Sequence, residues 1–320
     1  MPTPDSAPAL QYDRLTLQLP GQARPVLAGV TLTVAAGETV SLVGESGSGK
    51  SLTARSALGL IPAGARTSGS IIAAGHPVLT ASPGQLRALR SRGASMVFQN
   101  PQAAINPLHR IEDFLIESAR HARPAYTDDP PIRARELCEA VRLPERVLRQ
   151  YPHELSGGML QRVAIAAALM PGPPLLLADE PTTALDATTQ AGIIALLADM
   201  RDRFRMGLLF ITHDLDLAAA ISDRICVMYA GRIVETATPD RLLAHPQHPY
   251  TAALLQATPR LHRKAGQLTP IAGGPPDLDT LLTGCAFAPR CAHRTELCRH
   301  RTPPDSPVAC HHSAVLDLHA

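Results

Sequence analysis

The sequence predicts an α/β fold, a parallel β-sheet with helices on both faces, followed by a small cysteine-rich C-terminal segment. Three observations predict it. Short apolar runs alternate with helical spacings between residues 174 and 230. A glycine-rich loop ending in Lys-Ser joins an apolar run to a helical segment at residues 44–51. Past about residue 240, Pro, His and Cys become frequent and long apolar runs stop. The length of 320 residues allows about two domains. The expected division is 1–240 and 241–320.

In chain order, residues 10–43 alternate in polarity around turn signals (LTLQL, PGQARP, VLAGVTLTV, AAGE, TVSLVG), which predicts short antiparallel strands feeding one buried strand. KSLTARSALGL, 50–60, has helical spacing. Residues 103–165 read mainly as helix, interrupted at Pro107, Pro124, the DDPP of 128–131 and Pro144, so a helical subdomain is expected over about 100–165. PLLLAD (174–179), GLLFIT (207–212) and RICVMYA (224–230) read as buried strands, with helices over 188–204 and 215–223 between them. Strands and helices in alternation imply parallel pairing.

Composition narrows the function. The formal net charge of +2 argues against a nucleic-acid binder acting through bulk charge. No apolar run approaches the ~18 residues of a membrane-spanning helix. The start, MPTPDSAPAL, lacks the basic and apolar segments of a signal peptide, which predicts a cytoplasmic chain. The basic residues are Arg except Lys50 and Lys264, so a Lys at the end of a glycine-rich loop carries information. Cys138 and Cys226, in helix-like and strand-like contexts, read as buried small hydrophobes.

Gly44-Glu45-Ser46-Gly47-Ser48-Gly49-Lys50-Ser51 fits G-x-x-x-x-G-K-[ST] between a strand and a helix. The backbone N–H groups of such a loop curl around phosphate oxygens at the positive end of a helix. Lys50 would reach the β- and γ-phosphates, and the Ser51 hydroxyl would ligate Mg²⁺. Leu175–Glu180, LLLADE, is an apolar run ending in two carboxylates. Asp179 would enter the Mg²⁺ shell. Glu180, one residue on, would accept a proton from the water attacking a γ-phosphate.

Leu155-Ser156-Gly157-Gly158-Met159 precedes the helical stretch LQRVAIAAALM. It resembles the LSGGQ signature of ABC-type ATPases. Gln99 in MVFQNP, Asp186 in PTTALD and His213 in FITHD stand where that family has its Q-loop, D-loop and switch histidine. The resemblance covers roughly residues 10–240. It implies a P-loop cassette with an antiparallel β subdomain, a parallel core and a helical subdomain. It further implies that two ATPase subunits sandwich ATP head to tail. The signature, Leu155 to Met159, would then bind the γ-phosphate in trans. Gln99 would sense Mg²⁺ and relay closure to a transmembrane partner, and His213 would hold the γ-phosphate and the attacking water. Met159 replaces the usual Gln, as in many peptide-importer ATPases. The aromatic residue on which many relatives stack adenine is not matched: that position falls near Leu19, and Tyr12 lies too far upstream.

Residues 245–312 (HPYT, AALLQATP, LTPIAGGPPDL, GCAFAPRC) resemble the C-terminal extension of oligopeptide/dipeptide importer ATPases, a subfamily that also contains nickel and metallophore importers. PQAAINPLHRI, 101–111, is similar to the segment that meets a permease in that subfamily. The resemblance implies ATP-driven uptake of di- and oligopeptides at the cytoplasmic face of the membrane. The implied partners are a second ATPase subunit, a paralogue in this subfamily, two permease subunits and an extracytoplasmic solute-binding protein. Nickel or metallophore import is the alternative, and a soluble ABC ATPase of DNA repair or translation a remoter one.

Cys285, Cys291, Cys298 and Cys310 fall in the last 36 residues. Four thiolates in one short segment can surround a [4Fe–4S] cluster or Zn²⁺. The spacing does not choose between these or free thiols, and the resemblance favours the iron–sulfur cluster. His311 and His312 read as a solvated tail, with spare ligands to such a centre as the alternative.

Overall fold

The alternating stretch near the start of the chain forms a hairpin, β1 (Leu10–Gln18) antiparallel to β2 (Leu27–Val34). The computed structural model describes residues 7–119, 129–183, 185–258, 270–316 and 318. β1 is bulged between Tyr12 and Leu15, which bends the ribbon while keeping Leu10, Tyr12, Leu15 and Leu17 buried. β3 (Thr39–Val43) is buried at every position, as a strand covered on both faces must be. The phosphate loop leads from it into α1 (Lys50–Ala57). The helix is shorter than the predicted 50–60 because the chain turns at Leu58 and Gly59.

β4 (Arg66–Ala73) returns to β1 and β5 (His76–Pro77) flanks it, giving a four-stranded antiparallel sheet in the order β2-β1-β4-β5. α2 (Pro83–Ala88) starts at a capping box in which Ser82 and Gln85 each bond the other's backbone N–H. β6 (Ala94–Val97) then enters the second sheet.

The predicted helical region is α3 (Pro101–Ala104), α4 (Ile111–Ala119), α5 (Pro130–Ala140) and α6 (Gly157–Leu169), with short 3₁₀ turns between α5 and α6. Three of these helices begin at a capping side chain: Asn100 before α3, Asp129 before α5 and Ser156 before α6. Pro124, one of the predicted breaks, lies outside the described residues.

The alternating half follows as predicted, with β7 (Leu175–Asp179), α7 (Ala187–Phe204), β8 (Gly207–Thr212), α8 (Leu215–Ile221) and β9 (Arg224–Tyr229). β10 (Arg232–Ala237) closes the six-stranded sheet, whose order is β10-β9-β3-β8-β7-β6. Only the β9–β10 pair in it is antiparallel. α9 (Pro239–Ala244), α10 (Pro249–Ala257) and α11 (Glu296–His300) complete the described helices.

The core lies on both faces of the large sheet. α4 to α7 cover one face and the antiparallel sheet with α1 covers the other. A third cluster joins β9, β10, α8 and α10 to Phe287. Described residues beyond 240 fold back on the rest of the chain at several places. Arg24 donates to the carbonyls of Pro276 (2.6 Å) and Asp277 (3.0 Å). Thr236 N–H donates to Pro307 and Ala309 N–H to Val234, so the tail runs along the outer edge of β10. Arg290 reaches the phosphate loop.

His311 and His312 depart from expectation. Both are half-buried rather than a solvated tail. The pairing of Pro307–Ala309 with β10 brings them against the body of the protein. There His312 bonds the Thr295 hydroxyl (2.9 Å) and His311 the Arg301 carbonyl (2.9 Å).

Candidate functional site

The phosphate loop is shaped by its glycines and pinned by distant strands. A Cβ on Gly44 would lie 2.1 Å from the Met228 carbonyl oxygen, so β9 runs against this loop too closely for any side chain. Gly49 takes φ +105° and caps α1, turning the backbone so that the helix N-terminus faces the loop. The Ser48 carbonyl accepts from Gly231 N–H (2.9 Å), fixing the loop to the β9–β10 turn. The Ser48 hydroxyl is buried without a hydrogen-bond partner among the described residues. Lys50 lies along the loop and donates to the carbonyls of Gly44 (2.8 Å) and Glu45 (2.9 Å). Burial lowers its pKa, and the carboxylates of Glu180, Asp179 and Glu45 oppose that shift.

β7 carries the two acidic residues to the same place. The Ser51 hydroxyl donates to Asp179 Oδ1 at 2.7 Å. Asp179 Oδ2 is buried with no hydrogen-bond partner among the described residues, and Arg55 is 3.7 Å away. Burial raises the Asp179 pKa and the Ser51 bond counters it. A hydroxyl beside an under-partnered carboxylate is an all-oxygen donor pair. It fits Mg²⁺, which takes one or two protein ligands and completes its shell with phosphates and water.

Glu180 turns out of the strand with φ +46°, a conformation that non-glycine residues adopt only where the surroundings enforce it. Three groups converge on its Oε2: Gln99 Nε2 at 3.1 Å, the Thr183 hydroxyl at 3.0 Å and His213 Nδ1 at 3.5 Å. Gln99, Glu180 and His213 come from three separate connections, after β6, β7 and β8, which parallel pairing sets side by side. Thr183 is the member that sequence reasoning missed. Its spacing of three residues from Glu180 within a turn was the available signal. The carboxylate therefore has its donors in place and can act as a base toward a water at the loop.

The signature residues stand on other elements. Ser156 caps α6 and its hydroxyl accepts from Met159 N–H (3.4 Å). Gly158 packs on Thr189 of α7, where a Cβ would meet the Thr189 methyl at 2.7 Å. Asp186 caps α7 by accepting from the Thr189 N–H (3.0 Å) and hydroxyl (2.6 Å), bonds that lower its pKa. Leu155 is buried while Ser156 and Gly157 are exposed. The exposed N-terminus of α6 is open to a group from outside the chain.

Tyr12 is fully buried, and its hydroxyl donates to the Thr53 carbonyl (2.6 Å), so it offers no ring face to a base. Cys138 and Cys226 are buried as expected.

Cys285, Cys291, Cys298 and Cys310 line one small cavity, together with Phe287, His293 and His312. Burial pushes the Cys285 and Cys310 thiols up and Cys291 to about 11, favouring the protonated forms. No three His, Cys, Asp or Glu side chains among the described residues are placed to hold one metal ion. The [4Fe–4S] or Zn²⁺ centre expected from the sequence thus finds no support in a ligand group among the described residues. The four thiols line one shared cavity.

Comparison with known proteins agrees with this geometry. A family model described as ABC transporter matches residues 27–183, and one described as oligopeptide/dipeptide transporter, C-terminal region, matches 234–298. The oligopeptide transport ATP-binding protein OppD of Salmonella typhimurium is 40% identical over 292 residues, covering 91% of this chain and 87% of the relative. OppD of Escherichia coli is 41% identical over 295 residues, with 91% and 87% covered. A solved post-hydrolysis dimer of an ATP-binding cassette bound to ADP and Pi has a TM-score of 0.63 at 29% identity, covering 72% of this chain and 98% of that one. The chain belongs to the ABC transporter ATPases, in the group that carries the oligopeptide/dipeptide C-terminal region.

Proposed function

We propose that this chain is the ATP-hydrolysing subunit of an importer of di- and oligopeptides. The observation that carries the catalytic part is the convergence of Gln99, Thr183 and His213 on one oxygen of Glu180, beside the phosphate loop. The relatives named for oligopeptide transport support the substrate class over nickel or metallophores.

In this reading the loop Gly44–Ser51 binds the phosphates of ATP through its backbone N–H groups, with Lys50 on the β- and γ-phosphates. Ser51 and Asp179, with Gln99 alongside, hold Mg²⁺, which supplies charge neutralisation at the phosphates. Glu180 takes the proton of the attacking water, and Thr183 and Gln99 aim its carboxylate. His213 faces the γ-phosphate. Leu155–Met159 of a second ATPase subunit close over the same nucleotide, and Asp186 lies at that junction. Residues 1–240 form the nucleotide-binding unit and 241–320 the extension.

No described helix is long and apolar enough to cross a membrane. Translocation therefore falls to two permease subunits, which hold the chain at the cytoplasmic face of the membrane, with an extracytoplasmic solute-binding protein delivering the peptide. The second ATPase is a paralogue in this proposal. The shared cysteine cavity is where a metal would be sought. Iron with acid-labile sulfide in an anaerobic preparation supports [4Fe–4S], zinc without sulfide the alternative, and neither leaves four thiols.

Glu180→Gln tests the catalytic assignment. The expected outcome is a fall in hydrolysis of about 10²–10⁴-fold with ATP binding retained. Near-normal turnover would remove Glu180 from its role as base.

A further inference from the structure

The phosphate loop is held from outside the nucleotide-binding unit. Arg290, on the short 3₁₀ turn Ala288–Arg290 of the C-terminal extension, grips Glu45 with both arms of its guanidinium. Nη1 donates to Oε2 at 2.7 Å and Nη2 to Oε1 at 2.9 Å. The Arg290 side chain is 5% exposed. Its Nε donates to the Ala272 carbonyl (2.9 Å), and the guanidinium lies 5.7 Å from the Tyr229 ring centre. From α10, the Tyr250 hydroxyl accepts from Glu45 N–H at 2.9 Å. Both the side chain and the backbone of the loop's second residue are thus fixed by residues beyond position 240.

The chemistry of the site gives this clamp a consequence. Glu45 is the one acidic residue inside a loop read as binding a polyanion. An unpaired carboxylate there would repel the phosphates. A bidentate guanidinium neutralises it and holds it in one orientation, which a point charge on a flexible stem does less well. We propose that Arg290 and Tyr250 are positioning residues of the nucleotide site. Through them the C-terminal extension neutralises Glu45, keeps the loop in its anion-binding form and so sets nucleotide affinity. This rests on the reading of residues 44–51 as the ATP site.

The test is equilibrium binding of AMP-PNP with Mg²⁺ to the full chain, with melting temperature measured in parallel. Arg290→Met should weaken binding about tenfold or more, the size expected for one uncompensated charge near the phosphates. Adding Glu45→Gln to it should restore affinity to within about threefold of wild type, a rescue that a purely structural loss would not show. Tyr250→Phe, which keeps the packed ring, should weaken binding by roughly threefold. If Arg290→Met does not fold, Arg290→Lys takes its place, with a smaller loss that Glu45→Gln again reverses. Unchanged affinity in a folded Arg290 variant overturns the proposal, as does a loss that Glu45→Gln fails to reverse. Failure of the wild type to bind AMP-PNP overturns the reading of the loop itself, and the proposal with it.

Discussion

Gly44 shows how little freedom the site has at the scale of one residue. Its Cα faces the Met228 carbonyl so closely that a methyl group would sit 2.1 Å from the oxygen. Gly44→Ala must displace either the loop or β9, because backbone on both sides leaves no flexible side chain to yield. The expected cost is about 1–3 kcal/mol in denaturant unfolding, typical of over-packing, with nucleotide binding reduced more than stability. Unaltered stability together with unaltered binding would mean that the loop adapts. Glu180 is constrained in another way. Its left-handed backbone, the donors Gln99 and Thr183 and the neighbouring His213 ring hold one carboxylate oxygen in place, as the proposed deprotonation of a water requires. Thr183 contributes to that arrangement from within PTTALD, a segment read in the sequence only for Asp186, and the folded geometry reveals its role.

The elements divide into those legible in the sequence and those that are not. β3, β7, β8 and β9 were legible because strands covered on both faces are mostly apolar, as TVSLV and GLLFIT are. The helices after Ser156, Asp186 and Asp214 were legible from their apolar spacing, and each starts at a capping side chain. The candidate site residues could be named because each sits on or just after such an element. What no local pattern encodes is pairing across the chain. Arg290 and Glu45 are 245 positions apart, and nothing in GCAFAPRC announces a partner in the phosphate loop. The edge pairing of Pro307–Ala309 with β10 is likewise invisible in a short polar stretch, and it is what buries His311 and His312.

α10 carries a prediction of its own. Its N-cap is His248, whose Nδ1 accepts from Tyr250 N–H (3.0 Å), while Glu235 accepts from the His248 backbone N–H (2.9 Å). Burial lowers the His248 pKa from 6.5 to about 4. The unfolded chain therefore binds a proton that the folded chain refuses between those values. Stability is full above pH 6.5 and falls as the pH drops toward 4, by about 3 kcal/mol in total. His248→Asn keeps an acceptor at the cap without titrating there, so its unfolding free energy should change less over that window. Equal pH profiles for the two proteins would rule out His248 as the source.

For the molecule as a whole, the account joins two halves. The sheet and its loops build the candidate nucleotide site, and the signature at the α6 N-terminus is exposed, as the proposed pairing with a second ATPase subunit requires. The extension beyond residue 240 lies along β10 and reaches back to the phosphate loop, so it belongs to the nucleotide site as much as to the periphery. The central claim is that hydrolysis at Glu180 energises peptide uptake. The most direct measurement is accumulation of labelled di- and oligopeptides by source cells lacking this gene and carrying either the wild-type gene or the Glu180→Gln variant. The account predicts that uptake is lost on deletion and returns only with the wild type. Full uptake with Glu180→Gln, or no loss on deletion, would contradict it.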